Sequence, residues 1–396
     1  MPATNTASRY GWVARSLHWL TALLILSAIF LGLYGEDLPF DTSETLAIKA
    51  QVYSWHKTIG VAAFFVAVLR ILWALSQPRP APLHPERRLE TAVAEGVHWM
   101  LYAAMVLMPL SGWVHHAAVD GFAPILWPLG QSLPFVPKSE VVGQVAGALH
   151  GVFSKLLILA VILHVVGALK HALIDRDGTL ARMVTGRAVG SGAGAHPRAP
   201  AIAALAVFAL AGLAVLGLAG RAPEAAPAAA PVAAAAGGNW QVESGSLTFV
   251  VRQMGADVQG SLPDWRAEIR FDDSVTAGPQ GHVRVEIDTT TLVLGSVTDQ
   301  AKGAEFFDTA THKTALFEAD ILPDGAAHVA QGSLTLRGSA QPVSLPFTLN
   351  ITGDTAQMQG ETTLDRRAFG MGASYGDESS VGFPVVVKVE LTARRK

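Results

Sequence analysis

The sequence of 396 residues contains no cysteine. This absence excludes thiolate-bound iron–sulfur clusters, c-type haem attachment and any disulfide. Charged residues are also scarce, at 15%, and the net charge of −3 carries no signature of nucleic-acid binding. The sequence shows no Ser/His/Asp triad, phosphate-binding loop or metal-binding cluster that would indicate a different chemistry. Hydrophobic residues, in contrast, make up 50% of the chain, which is unusual for a soluble protein.

The apolar residues are concentrated in runs long enough to cross a bilayer as helices. The predicted spans are 17–34, 56–75, 96–114, 149–172 and 199–220. An Ala/Pro-rich linker follows at 221–238, and its repeated prolines predict a semi-extended spacer rather than a packed element. Residues 239–396 are rich in Thr, Val, Asp and Gly and alternate apolar with polar positions. The chain is therefore predicted to be a multidomain protein.

Arginine and lysine in the short loops predict the orientation of the helices, because cytoplasmic loops carry the excess of positive charge. Loops 36–55 and 115–148 contain only Lys49 and Lys138. The N-terminal segment and loops 76–95 and 172–199 together contain nine arginines, namely Arg9, Arg15, Arg79, Arg87, Arg88, Arg176, Arg182, Arg187 and Arg198. The N-terminus is predicted to be cytoplasmic, and five spans place the C-terminal domain in the periplasm of a bacterium.

Two histidines of the fourth span, His150 and His164, stand 14 residues apart. At about 100° per residue they share one helix face, and at ~1.5 Å rise they are about 21 Å apart. Histidines inside a membrane span are costly and usually functional, and neutral imidazole is an axial ligand of haem iron. With the predicted orientation, His18 lies at the depth of His164 and His56 at the depth of His150. The pattern predicts two haems, each between two histidines.

Other polar residues of the spans leave alternatives open. His98 could replace His18 or His164 as a ligand, or serve a quinone site or the core. His171 is expected at the membrane interface, where it could contact a haem propionate. His115 and His116 are expected in a solvated loop, although they could also contact a propionate or a quinone. Arg70 could reach the cytoplasmic surface or pair with a haem propionate.

The motifs around these histidines resemble the bacterial cytochrome b561 family. The matching segments are Arg9-Tyr10 with Leu17-His18-Trp19, Trp55-His56-Lys57, Gly96-Val97-His98-Trp99, and the spacing from His150 to His164. The resemblance covers residues 8–190 and ends before the fifth span, which looks like a simple anchor. It implies an all-α transmembrane four-helix bundle with two haem b groups held by His18, His56, His150 and His164, exchanging electrons with the quinone pool.

Period-two alternation after residue 239 predicts an antiparallel β-barrel. The predicted strands are 246–254, 265–271, 281–288, 333–337, 343–350 and 385–391, with one short helix at 299–307. A barrel of about eight strands can enclose one elongated apolar ligand. Alternation alone does not distinguish such a cavity from a filled core.

Residues 239–394 resemble the YceI family of lipocalin-like proteins. The segments that match are Gln331–Gly338, Glu305–Asp308 and Leu364–Met371. The resemblance implies binding of polyisoprenoid chains, including quinone tails. Two segments depart from the family pattern: the usual histidine-containing start reads Val250–Gly255 here, and Thr289–Asp299 diverges.

These patterns predict a multi-pass protein of the bacterial inner membrane. Its fold class is a four-helix dihaem bundle (8–190) with a fifth anchor helix (199–220), then the linker (221–238) and a lipocalin-like barrel (239–396). We expect a quinone-linked oxidoreductase, with haem b and ubiquinone or another isoprenoid quinone as cofactors and an isoprenoid ligand in the barrel. Two other functions stay open: a redox-linked lipid carrier or sensor, and an electron-relay subunit of a separate dehydrogenase. A redox partner protein and a homodimer stay open as partners.

Overall fold

The computed structural model describes residues 2–119, 123–127, 131–190, 196–219, 238–275, 278–295, 297–325 and 327–396. The chain divides into two compact units, one helical and one built on a β-sheet. This division matches the predicted fold class of a helical part followed by a barrel. The predicted linker at 221–238 lies outside the described residues except for Gly238.

The helical unit contains six α-helices within its described residues. They are α1 (Trp12–Asp37), α2 (Ser43–Leu75), α3 (Arg88–Ala118), α4 (Glu140–Leu169), α5 (Thr179–Val184) and α6 (Ala199–Ala219). A π-helical turn, Lys170–Asp175, continues α4. Five of these helices are long and apolar enough to cross a membrane, which agrees with the five predicted spans.

Most helices extend well beyond the predicted spans. Helix α2 begins at Ser43 rather than His56, and α4 begins at Glu140 rather than Leu149. Hydropathy marks only the part of a helix that lies in hydrocarbon, whereas backbone hydrogen bonding continues through the polar turns on either side. The Ser139 side chain caps the N-terminus of α4 by accepting a hydrogen bond from the Val142 amide.

Helices α3 and α4 pack along each other, and α6 packs against both. Ala103 and Ala104 on α3 let the backbones approach, and Phe208 of α6 is buried 5.4 Å from the ring of Phe153 on α4. The fifth span therefore packs on α3 and α4 of the bundle. Among the described residues, α1 and α2 make no comparably extended backbone contact with α3 or α4. The space on that side of α4 is bridged by histidine side chains.

The second unit is a closed antiparallel barrel. Its strands are β1 (Trp240–Gln253), β2 (Ala256–Ser261), β3 (Trp265–Phe271), β4 (Gly281–Asp288), β5 (Thr314–Asp324), β6 (Ala327–Leu336), β7 (Ser339–Thr352), β8 (Thr355–Asp365) and β9 (Val381–Arg395). Each strand from β3 to β9 pairs with the next, and β9 pairs back onto β1. The ring thus consists of β1 and β3–β9, while β2 pairs with the second half of β1. Closure removes exposed strand edges.

Two predicted strands, β3 and β4, match residue for residue. Strands β2, β5 and β8 were not predicted; in β8 the inward positions carry residues such as Ala356, Met358 and Gly360, which give a weak apolar alternation. The short helix predicted at 299–307 is α7, Thr298–Lys302, and the chain continues in turns after it.

Candidate functional site

His56 on α2 and His150 on α4 face each other, with ring centroids 6.1 Å apart. Each ring is held from behind by a backbone carbonyl: His56 Nδ1 lies 2.8 Å from the Ala28 oxygen, and His150 Nδ1 lies 2.9 Å from the Met108 oxygen. Because a carbonyl oxygen only accepts, Nδ1 of each ring carries the proton and donates. Nε2 of each ring therefore keeps its lone pair, which is the tautomer that binds a metal.

The separation of the rings fits a shared metal. When an imidazole nitrogen binds a metal, the distance from the metal to the ring centroid is the bond length of about 2 Å plus one ring radius. Two such rings on opposite sides of one iron are therefore about 6 Å apart, as His56 and His150 are. The donor set of two neutral imidazoles also suits haem iron, so the residues present fit a b-type haem.

Two glycines provide the space for these rings. A Cβ added at Gly112 on α3 would lie 2.7 Å from His150 Cε1, and one added at Gly32 on α1 would lie 3.0 Å from His56 Cε1. Any larger side chain at these positions would therefore push a ring out of place. The glycines let α1 and α3 pass directly behind the two histidines.

His18 on α1 and His164 on α4 form a second pair, with ring centroids 6.0 Å apart. Arg70 of α2 lies beside this pair: its Nη2 donates to His18 Nδ1 at 3.2 Å, and its guanidinium lies 5.7 Å from the ring centre of Tyr102. The structure thus brings together the two pairs that depth matching predicts. Their role as iron ligands stays a prediction.

His98 on α3 is the alternative partner for His164, with ring centroids 5.1 Å apart. That distance is too short for two rings that bind the same iron. The 6.0 Å between the rings of His18 and His164 fits such an arrangement. His98 Nδ1 lies 2.7 Å from the carbonyl of Ala94 in its own helix. The geometry favours His18 as the partner of His164 and places His98 against the edge of the pair.

His115 and His116 lie at the end of α3, and each has a protein partner. His115 Nδ1 lies 2.7 Å from the Gly143 carbonyl, and His116 Nε2 lies 2.9 Å from Gln131 Oε1. The prediction of a solvated loop was wrong for this pair, because both rings are half-buried within the last turn of the helix.

His171 takes part in a charged cluster after α4. Lys170 Nζ lies 2.7 Å from both Glu90 Oε1 and Asp175 Oδ2, and His171 Nδ1 lies 2.6 Å from Asp177 Oδ2. Burial alone would raise the pKa of Asp177, but hydrogen bonds from Thr179 and His171 outweigh it and hold that pKa at about 2. Glu90, His171 and Asp175 could geometrically surround a cation, but the Lys170 ammonium already lies between the two carboxylates.

The barrel encloses apolar space. Two adjoining cavities of about 170 Å³ and 150 Å³ lie along its interior. Both are lined by Leu247, Ile287, Leu334, Leu364 and Val387, so they meet at the middle of the barrel. The barrel therefore has room for a chain-like apolar ligand rather than a filled core.

Several residues of these sites could not be recognised from the sequence. Gly32 and Gly112 look like ordinary helix glycines until the rings behind them are placed. Arg182 is almost fully buried and donates to the carbonyls of Ala81 and Val189, joining loops far apart in sequence. Only its position in an otherwise apolar short helix could have drawn attention to it.

Comparison with known proteins identifies both units. The family model of prokaryotic cytochrome b561 matches residues 9–186, and the YceI-like domain model matches residues 240–393. Cytochrome b561 homolog 2 of Escherichia coli strain K12 is 30% identical over 184 residues, which are 46% of this chain and 95% of that protein. A protein of Yersinia pestis named "Probable superoxide oxidase CybB" is 23% identical over 182 residues, 44% of this chain and 96% of the relative.

Solved structures similar to this chain include a YceI protein. The crystal structure of Burkholderia cenocepacia BcnA is 29% identical and covers 37% of this chain and 95% of its own, with a TM-score of 0.35. The crystal structure of the Campylobacter jejuni YceI protein is 16% identical and covers 36% of this chain and 86% of its own, with a TM-score of 0.33. The chain belongs to the prokaryotic cytochrome b561 family, whose members are haem-containing electron-transfer proteins of the membrane, and it carries a YceI-like domain after the cytochrome.

Proposed function

We propose that the helical unit is a dihaem b-type cytochrome that passes electrons to or from the quinone pool. The observation that carries this proposal is the pair of histidine–histidine separations, 6.0 Å and 6.1 Å, on one face of α4. His164 and His18 would hold one haem, and His150 and His56 the other. When bound, haem supplies one-electron redox chemistry at these positions.

The protein's own residues determine where that chemistry occurs. The distance of about 21 Å between His150 and His164 along α4 would put one site near each membrane surface and provide an electron path across most of the bilayer. The carbonyls of Ala28 and Met108 fix the tautomers of His56 and His150. The glycines behind these rings have no side chain that could tilt the rings.

Arg70 would change partner when the His18 site is filled. A guanidinium only donates, so His18 Nδ1 accepts in the arrangement with Arg70. A histidine that binds iron through Nε2 carries its proton on Nδ1, and two donors cannot share a hydrogen bond. Arg70 would then turn to an anionic group, and a haem propionate is the group at hand.

The orientation proposed for the chain rests on the arginine distribution. The His18 site lies toward the cytoplasm and the His56 site toward the periplasm of a bacterial inner membrane, with the barrel in the periplasm. The apolar cavities of the barrel support binding of an isoprenoid lipid, either a quinone or another polyprenyl compound.

Steady-state oxidation of a short-chain ubiquinol by the purified full chain tests the quinone assignment. We expect reduction of the haems by quinol and turnover when an artificial acceptor is supplied. An electron-relay subunit would need its dehydrogenase for turnover, so reduction that occurs only with a second protein would favour the relay function. Ligand uptake by the barrel that depends on haem redox state would favour the carrier or sensor function.

Superoxide is a second candidate electron donor. The match to the Yersinia pestis protein named "Probable superoxide oxidase CybB", over 96% of that protein, favours it. Two superoxide anions would give two O₂ and two electrons, which with two protons reduce one quinone to quinol. Quinone-dependent consumption of superoxide by the purified chain would support this donor, and consumption that does not change on adding quinone would argue against it.

A further inference from the structure

One cavity of the barrel is lined by a buried side-chain oxygen that has no partner among the described residues. Gln253 is only 4% exposed, and its Oε1 has no hydrogen-bond partner among the described residues. The side chain lines the cavity of about 150 Å³. Burying an amide oxygen without a hydrogen bond costs free energy, whereas a buried amide oxygen that accepts one contributes net stability. A group that fills the cavity and donates to Gln253 would remove this cost.

The backbone fixes the direction of Gln253. It is the last residue of β1 and continues the inward series Leu247, Phe249 and Val251, each less than 10% exposed. Met254 and Gly255 follow with positive φ, the conformation of a tight two-residue hairpin turn, and Gln253 pairs with Ala256 across it. Since the hairpin turn fixes the register of β1 with β2, a one-residue slip that would take the amide out of the cavity is disfavoured.

The other polar groups near this end of the cavity already have partners. Arg366 lines the same cavity, but its guanidinium nitrogens donate to the carbonyls of Gly382, Met371, Gly372, Tyr375 and Val381. Burial lowers the pKa of Arg366. Gln300 Nε2 donates to the Tyr375 hydroxyl at 2.9 Å. Among the described residues that line this cavity, Gln253 Oε1 is therefore the buried acceptor left without a partner, in surroundings that are otherwise apolar.

We infer that the barrel recognises a ligand with a hydroxyl headgroup, held by Gln253 at the end of an isoprenoid chain. This inference rests on the proposed isoprenoid binding and names the headgroup. A hydroxyl can donate to Oε1, whereas a quinone carbonyl, an ether or a hydrocarbon end cannot. The barrel would accordingly prefer a prenol or a quinol to the corresponding quinone.

The test compares two photoreactive geranylgeraniol analogues, one with a free hydroxyl and one with its methyl ether. The full chain in lipid nanodiscs is irradiated with each, and the labelled peptides from residues 240–396 are quantified by mass spectrometry. We expect the hydroxyl probe to label the barrel at roughly tenfold lower concentration than the ether, as one buried hydrogen bond would give. In Gln253→Leu, which removes the acceptor at similar volume, the two probes should label alike. Gln359→Leu, at an exposed position on β8, is the matched control and should retain the preference.

The outcomes separate the headgroup from the chain. Equal labelling by both probes in the unaltered protein would overturn the hydroxyl assignment while leaving isoprenoid binding intact. A preference for the hydroxyl that survives in Gln253→Leu would overturn the role of Gln253. No labelling of the barrel by either probe would overturn both this inference and the proposed ligand class.

Discussion

At the scale of single residues, the account depends on which atom of each histidine is free. For His56 and His150 the carbonyls of Ala28 and Met108 occupy Nδ1, so Nε2 is left to bind metal. The sequence could predict these two residues from spacing and depth. It could not predict the carbonyls, because they come from α1 and α3 and depend on how those helices pass behind the rings.

Replacing His150 with Ala should remove one of two haems, and replacing His164 should remove the other, because each residue supplies half of one site. Pyridine haemochrome assay should show about half the haem per chain in each variant. His115→Ala is the control, since its ring is bonded to Gly143, and it should keep full haem content. Two low-spin haems in both single variants would mean that the ligands are other residues.

Replacing Arg70 with Met should lower the reduction potential of the haem at the His18 site only. Reduction adds negative charge, so losing a nearby cation disfavours the reduced form. We expect a decrease of about 60 mV, which is about tenfold for a one-electron couple. Spectroelectrochemical titration would resolve the two haems. Arg88→Met, at an exposed residue, should change neither potential, and an unchanged potential in Arg70→Met would contradict a haem propionate as the partner of Arg70.

At the scale of helices and strands, periodicity predicted the type of each long element better than its ends. The five spans and most strands follow from hydropathy and alternation. The packing of α6 on α3 and α4 through Phe208 does not, since an Ala/Leu/Val helix has no pattern that distinguishes a protein-facing side from a lipid-facing one. The same applies to Gln253, because only the completed barrel shows that its oxygen is buried without a partner among the described residues.

Helix α3 should tolerate no side chain at Gly112. In Gly112→Ala the new Cβ would lie 2.7 Å from His150, so the ring must move and the site should lose its haem. Haem content should fall by about half although Ala favours a helix by about 1 kcal/mol over Gly. Gly217→Ala on α6 is the matched control, because a Cβ there meets no atom within 4 Å. Equal haem content in the two variants would contradict the packing of α3 against His150.

Within the barrel, Leu336 lines the cavity at the end that contains Gln253, as its inward position in the alternation predicts. Leu336→Trp should fill part of that cavity and reduce labelling by the hydroxyl probe several-fold, since the ligand would lose buried methylenes worth ~0.8 kcal/mol each. Ser333→Trp on the exposed side of the same strand is the control. Labelling that is reduced equally by both substitutions would indicate damage to β6 rather than a filled cavity.

At the scale of the whole molecule, two units of different chemistry are combined in one chain: a cytochrome b561 and a YceI-like barrel. Joining them keeps the barrel at high effective concentration near the membrane. If the barrel prefers hydroxyl headgroups, it would bind quinol more tightly than quinone. Electron transfer by the cytochrome would convert one of these two forms into the other. The sequence predicted both units because their motifs are local. The boundaries proposed for them stay predictions, as does the linker.

The orientation is also a property of the whole chain. A reporter that works only in the periplasm should be active when it is fused after Lys396. Nine arginines against two lysines predict a cytoplasmic N-terminus, and the five spans that follow would then put Lys396 in the periplasm. A second fusion after Ala81, following α2, should be inactive with the same reporter. An active fusion after Ala81 together with an inactive fusion after Lys396 would mean that the topology is the reverse of the predicted one.

The most direct test of the central claim is the haem content and spectrum of the purified full chain. Two pairs of histidines about 6 Å apart predict two haems per chain, both b-type and both low-spin, because each iron would have two imidazole ligands. The pyridine haemochrome assay against protein mass gives the ratio, and the reduced-minus-oxidised spectrum gives the spin state. A ratio of two with low-spin bands is the predicted result. One haem per chain, or a high-spin signal from half of the haem, would contradict the account.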